Sequence, residues 1–173
     1  MSNKEDKSFE EKISLTKELL LTAEKGDAET RSTSLGQVLE ISRVLTEENP
    51  KSLQAWLVLG LAEYWSNEAT AQKSFETALG LVKKSENEEK ITCLYHLGKI
   101  NLAKNDFQNA ETSFKKVLKI KSNHINTLHD LSVVYAKTER IKEAIKCLKM
   151  VIKENSDFPG AAENLSVLLF HEE

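Results

Sequence analysis

The chain has 173 residues, 40% of them hydrophobic and 29% charged, with a net charge of −3, two Pro and six Gly. That is enough apolar material for a continuous buried seam in one domain-sized unit, and so few Pro and Gly suit long helices joined by short turns. The balance excludes a nucleic-acid footprint, which needs clustered cationic faces, and the longest apolar runs, such as Leu57 to Ala62, are too short to cross a bilayer.

Residues 1–7 carry no apolar h-region, so no signal peptide is visible and the cytoplasm is the expected location. Ile13, Leu15, Leu19, Leu20 and Ala23 then fall on one helical face, and Gly26-Asp27 breaks it, which predicts a helix near 8–24. A second helix near 34–47 carries Val38 and Leu45 and ends at Asn49-Pro50, because Pro cannot continue a helix. The gap between these two helices reads as a long inner loop. Further helices are predicted near 53–65, 69–83, 90–103, 107–120, 125–137, 141–154 and 159–170, the last opened by Pro159, for nine in all. Lys84 to Glu89 reads as a polar loop.

Within this series two stretches repeat at 34 residues. Leu97, Ala110, Val117 and Leu118 recur as Leu131, Ala144, Val151 and Ile152, while Gly98 recurs as Ser132 and Phe114 as Leu148. A small residue in a helix lets a neighbour approach closely, and bulky ones fill the seam around it. A unit of this length is two antiparallel helices that cannot bury their apolar faces alone, so copies stack.

The residues that carry the period resemble the tetratricopeptide repeat. The unit near 53–86 has Trp56, Leu59, Gly60, Ala71, Phe75 and Ala78, with Glu63 where the family has Tyr. The unit at 91–124 has Leu97, Gly98, Ala110 and Phe114, with Asn101 for Tyr. The unit at 125–158 has Leu131, Tyr135, Ala144, Leu148 and Val151. Residues 8–50 form a diverged first unit, and 159–170 is one helix of a further unit. One residue is missing near Ser66-Asn67, and about five are added after the second helix of that unit. The resemblance implies a single all-α domain over 1–173, a right-handed solenoid of antiparallel helix pairs. In this register Gly60 and Gly98 are expected at the helix crossing, opposed by Ala71 and Ala110.

Residues able to do chemistry are few. Cys93 and Cys147 form no CxxC pattern and read as packing residues, and His96, His124, His129 and His171 share no i, i+4 spacing. No phosphate loop, nucleophile elbow or metalloprotease helix is present. No enzyme, cofactor, metal, nucleic-acid or membrane role is expected. The resemblance instead implies a concave groove lined by the first helix of each pair. Carried onto this sequence, the partner-binding places are Leu57, Leu61, Tyr64, Trp65, Tyr95, Lys99, Leu102, His129, Val133, Val167 and Phe170, whose apolar members the seam does not require. The clamp that some family members use for acidic chaperone tails is missing, since its places hold Leu57, Leu61, His96, Asn126 and Asp130. The expected function is a binding module whose apolar groove takes an apolar helical peptide; a client-specific chaperone and a self-associating scaffold are the alternatives. In the last helix Leu165 and Leu169 are expected to cover the preceding unit. Val167, Leu168 and Phe170 are then left for a bound ligand or a second copy in a homodimer.

Overall fold

The computed structural model describes residues 8–170 and contains nine α-helices among them. His171 lies outside the described residues. The chain divides into two compact units, Met1–Glu89 and Lys90–Glu173, each with its own core.

The N-terminal unit holds α1 (Phe9–Lys25), α2 (Ala28–Glu48), α3 (Leu53–Trp65) and α4 (Ala71–Leu81). Helix α1 opens on a capping box in which Ser8 and Glu11 satisfy each other's backbone N–H groups. Ile13, Leu20, Ala23, Leu35, Val38, Leu45, Ala55, Val58 and Ala62 form the core. The expected long inner loop is absent. Asp27 accepts from Thr30 N at 2.8 Å and starts α2 at once, so the polar stretch after Gly26 is helix. An N-cap aspartate beside a short polar run outweighs that run's weak apolar periodicity.

The C-terminal unit holds most of α5 (Asn87–Ala103), then α6 (Phe107–Ile120), α7 (Ile125–Lys137), α8 (Ile141–Glu154) and α9 (Ala161–Phe170). Its core joins Ala110, Phe114, Leu128, Leu131, Val134, Ala144, Leu148, Val151 and Ala161. Two boundaries differ from expectation. The inserted polar residues are only partly loop, because Asn87 to Glu89 already belong to α5, and Glu86 Oε2 accepts from Lys83 N at 2.7 Å across the short turn before them. Pro159 lies outside α9, which begins two residues later, after Gly160 at φ 74°.

The turn inside each pair is built the same way three times. Asn67, Asn105 and Glu139 take positive φ of 58°, 59° and 59°. The next N–H reaches back five residues in each case: Glu68 to Glu63 O, Asp106 to Asn101 O and Arg140 to Tyr135 O, all at 2.8 Å. The residue missing from the first pair is therefore lost after Asn67, at the start of α4, and the helix-ending turn is intact.

Behind these turns the seams close around small residues. A Cβ on Gly98 would lie 2.7 Å from Phe114 Cδ1, and one on Gly60 would lie 3.1 Å from Phe75. The atoms nearest each glycine thus belong to aromatic rings, one helical turn after Ala71 and Ala110. The third pair makes the opposite exchange, with Ser132 set in the place of the glycine and Leu148 in that of the ring, both buried.

Candidate functional site

The first helix of each pair carries the expected binding residues, and the structure divides them sharply by exposure. In the N-terminal unit Leu57 is buried, 9% exposed, while Leu61 and Trp65 are half-buried against that unit's core and Tyr64 is half-buried. In the C-terminal unit Tyr95 and Leu102 pack against the core in the same way. Lys99, His129 and Val133 are half-buried, and only Val167 and Phe170 are exposed, 52% and 78%. The apolar members expected to be free of the seam are therefore largely committed to packing. Side chains of this size at helical spacing serve the core first.

What remains on α5, α7 and α9 is a polar chain rather than an apolar floor. Lys99 Nζ stands 3.8 Å from Asp130 Oδ2, His129 Nδ1 lies 3.5 Å from Asp130 Oδ1, and His129 Nε2 meets Asn164 Nδ2 at 3.4 Å. The His129 ring packs on Phe158 with centroids 5.1 Å apart, which fixes it. Asp130 Oδ2 is buried and accepts no hydrogen bond among the described residues. Lys99 therefore gives it charge without a bond, an arrangement that leaves a buried acceptor unsatisfied. Asp130 and Asn164 were not among the expected site residues. The signal for them was the period itself, because His96, Asp130 and Asn164 occupy one register row and Lys99, Val133 and Val167 another.

Other titrating groups are structural. His96 donates Nδ1–H to Thr92 O at 2.9 Å, and burial holds its pKa below the ordinary 6.5. Cys93 and Cys147 are buried, and burial pushes the Cys147 thiol up to about 11, far from a reactive thiolate. Glu63, standing at the family's Tyr position, is buried and accepts from Ser74 Oγ at 2.5 Å. Tyr135, the family residue itself, instead carries the Arg140 guanidinium 4.3 Å over its ring. Among the described residues no three His, Cys, Asp or Glu side chains converge as a metal site would need, and no helix is long and apolar enough to cross a membrane.

Residues 101–165, from the end of α5 into α9, match the family model described as tetratricopeptide repeat. Over those residues the chain is similar to the tetratricopeptide repeat. The matched span contains two of the positive-φ turns and the Ser132–Leu148 seam. No curated protein sequence matches the chain at a significant level. Among solved structures, the chain is similar to "Crystal structure of MamA protein" at 15% identity and TM-score 0.70, over 90% of this chain and 81% of that one. It is similar to "MamA 41-end from Desulfovibrio magneticus RS-1" at 13% identity and TM-score 0.74, over 95% and 88%. A "MamA RS-1 ArsTM double mutant" gives 12% identity and TM-score 0.75, over 96% and 88%. At these identities the likeness is one of fold, an all-α solenoid of helix pairs. Tetratricopeptide repeats with this fold are protein–protein interaction modules.

Proposed function

We propose that the chain is a non-enzymatic module that binds a helical peptide segment across the first helices of its C-terminal unit. The observation that carries this reading is the polar chain Lys99–Asp130–His129–Asn164, which links three successive first helices beside Val133 and the exposed Val167. A segment with an apolar stripe meets the two valines, and polar groups along its edge meet Lys99 and Asn164, whose amide both donates and accepts. The peptide is thus amphipathic rather than wholly apolar, because Trp65 and Tyr95, two of the aromatic residues that suggested an apolar groove, are spent on the cores.

The test is selection of helical peptides from a displayed library against the wild-type chain, followed by rebinding to variants. Val133→Glu and Lys99→Glu should each weaken the selected peptides by roughly tenfold or more, as for residues at the centre of an interface. Lys116→Glu, on the exposed side of α6, should not. Equal loss in all three variants would place the site elsewhere.

A further inference from the structure

The two compact units carry unlike charge. Met1–Glu89 holds 11 Lys and Arg against 17 Asp and Glu, while Lys90–Glu173 holds 13 against 10, so the net −3 divides into −6 and +3. A split of this kind between halves points to an anionic surface as partner. The whole-chain balance, on which the expectation of no membrane role rests, conceals it.

The cationic excess gathers on the second helices of the C-terminal unit. Lys142, Lys146, Lys149 and Lys153 follow at three- and four-residue steps along α8 and line one open groove with Ile145 and Met150. All four lysines are exposed, and the stripe is roughly 16 Å long at the helical rise. Helix α6 runs beside α8 in the same direction. Arg140 Nη1, at the start of α8, donates to Glu111 of α6 at 2.8 Å, and Asn123 Nδ2, just past α6, donates to Glu154 at the end of α8 at 3.2 Å. One period before Lys149, Met150 and Lys153 stand Lys115, Lys116 and Lys119, which are also exposed. The repeat does not require these cations. In α4, aligned through Phe75 and Phe114, the same places hold Glu76, Thr77 and Gly80.

Pairing sharpens the contrast. Helices α6 and α8 carry three carboxylates, and each is engaged: Glu111 by Lys115 and Arg140, Glu143 by Arg140, and Glu154 by Asn123. Lys116, Lys119 and the four lysines of α8 make no ion pair among the described residues. Six cations on two neighbouring helices thus face solvent without a counter-charge.

We propose that this face of α6 and α8 seats the chain on the surface of a bilayer that contains anionic lipid. Clusters of lysine on a helix are drawn to acidic headgroups at short range, and no spanning segment is needed. The unpaired charges are all lysine, a hydrated point charge on a flexible stem, which suits a diffuse layer of phosphates; the one arginine, Arg140, is spent on Glu111 and Glu143. Neither helix exposes an aromatic ring, since Phe114 is buried and Phe107 packs on the core, so nothing stacks a nucleic-acid base. Within the α8 stripe stands Met150, 37% exposed, an apolar group able to enter the acyl boundary while the lysines reach to the headgroups. This surface is separate from the Lys99–Asn164 face on the first helices.

The test is co-sedimentation of the full chain with vesicles of equimolar phosphatidylcholine and phosphatidylglycerol, against vesicles of phosphatidylcholine alone. The chain should bind the anionic vesicles saturably and not the neutral ones, and binding should fall steeply as salt rises. Lys146→Glu with Lys149→Glu and Lys153→Glu should lower the partition coefficient at least roughly a hundredfold, because each lysine near an anionic surface contributes about fivefold. Lys116→Glu with Lys119→Glu, on the neighbouring helix, should lower it roughly tenfold or more. Circular dichroism should be unchanged in both, since all five positions are exposed. Lys17→Glu with Lys25→Glu and Lys51→Glu alters net charge as much as the first variant but lies in the other unit, and should cost less than roughly threefold. Val133→Glu should leave vesicle binding unchanged, which keeps this test apart from that of the peptide face. Absence of binding to anionic vesicles, equal binding to neutral ones, or equal loss in the two triple variants would overturn the proposal. So would polyglutamate or duplex RNA that binds the wild type more tightly than the vesicles do and is lost on the α8 variant, because the face would then belong to that partner.

Discussion

The pairs α5–α6 and α7–α8 solve the same packing problem in opposite ways. Both end their first helix in the same left-handed turn, with the same five-residue bond. Yet the first closes on a glycine beneath a phenylalanine and the second on a serine beneath a leucine. What the repeat conserves is the summed volume at the crossing, not the residues. The period constrains backbone geometry tightly, and side chains trade volume across it.

Phe114→Ala should break the comparison most severely. Its ring is fully buried in the seam, and its loss should cost about 3–5 kcal/mol in denaturant unfolding. The counterpart Leu148→Ala, losing fewer atoms, should cost about 2–4 kcal/mol. If the larger loss came from Leu148, volume at the crossing would not be the governing quantity.

Gly98→Leu should overpack the same seam and cost on the order of 1–3 kcal/mol. The sharper form is a double-mutant cycle. Gly98→Ser alone pushes a side chain into the Phe114 ring, whereas Gly98→Ser with Phe114→Leu reproduces the α7–α8 solution. A coupling of about 1 kcal/mol in favour of the double variant is expected; additive costs would mean that the two pairs are not interchangeable.

The turns give a smaller contrast. Asn105 tolerates positive φ better than Glu139 does, since a short polar side chain bonds locally there. Glu139→Gly should therefore raise the melting temperature, by up to about 1 kcal/mol of stability, and Asn105→Gly should do less. A larger gain at Asn105 would contradict the assignment of strain.

The smallest effect concerns acid. The α5 row carries His96 where α7 carries Asp130 and α9 carries Asn164. Burial lowers the His96 pKa in the folded chain, so folding favours the neutral ring. The linked stability is fully present above the unfolded pKa near 6.5 and is lost as pH falls through the lower folded value. Comparing wild type with His96→Gln between pH 7 and pH 5 should show a shallower loss in the variant. Parallel curves would mean that His96 does not titrate against folding.

The repeats were legible in the sequence because small and bulky residues recur at fixed offsets, and the helices near 53–65, 107–120, 125–137 and 141–154 lie at the predicted residues. The start of α2 was not, because an N-cap and a polar helical turn leave no apolar period to read. The proposed binding face was legible only as a row of positions. Tyr95, Leu57 and Trp65 share a helix side with residues that do reach solvent, and spacing alone cannot tell a packed aromatic from an exposed one. Asp130 was missed because a lone carboxylate in an apolar helix gains meaning only when the fold brings Lys99 of α5 beside it.

The central functional claim is that first helices, not second helices, of the C-terminal unit receive the peptide. The direct measurement is amide chemical-shift mapping of the wild-type chain titrated with a library-selected peptide. The account predicts that the largest shifts fall on residues around Lys99, His129, Val133, Asn164 and Val167, with α6 unmoved. Largest shifts along Thr112 to Lys119 on α6, with the Lys99 row silent, would contradict it.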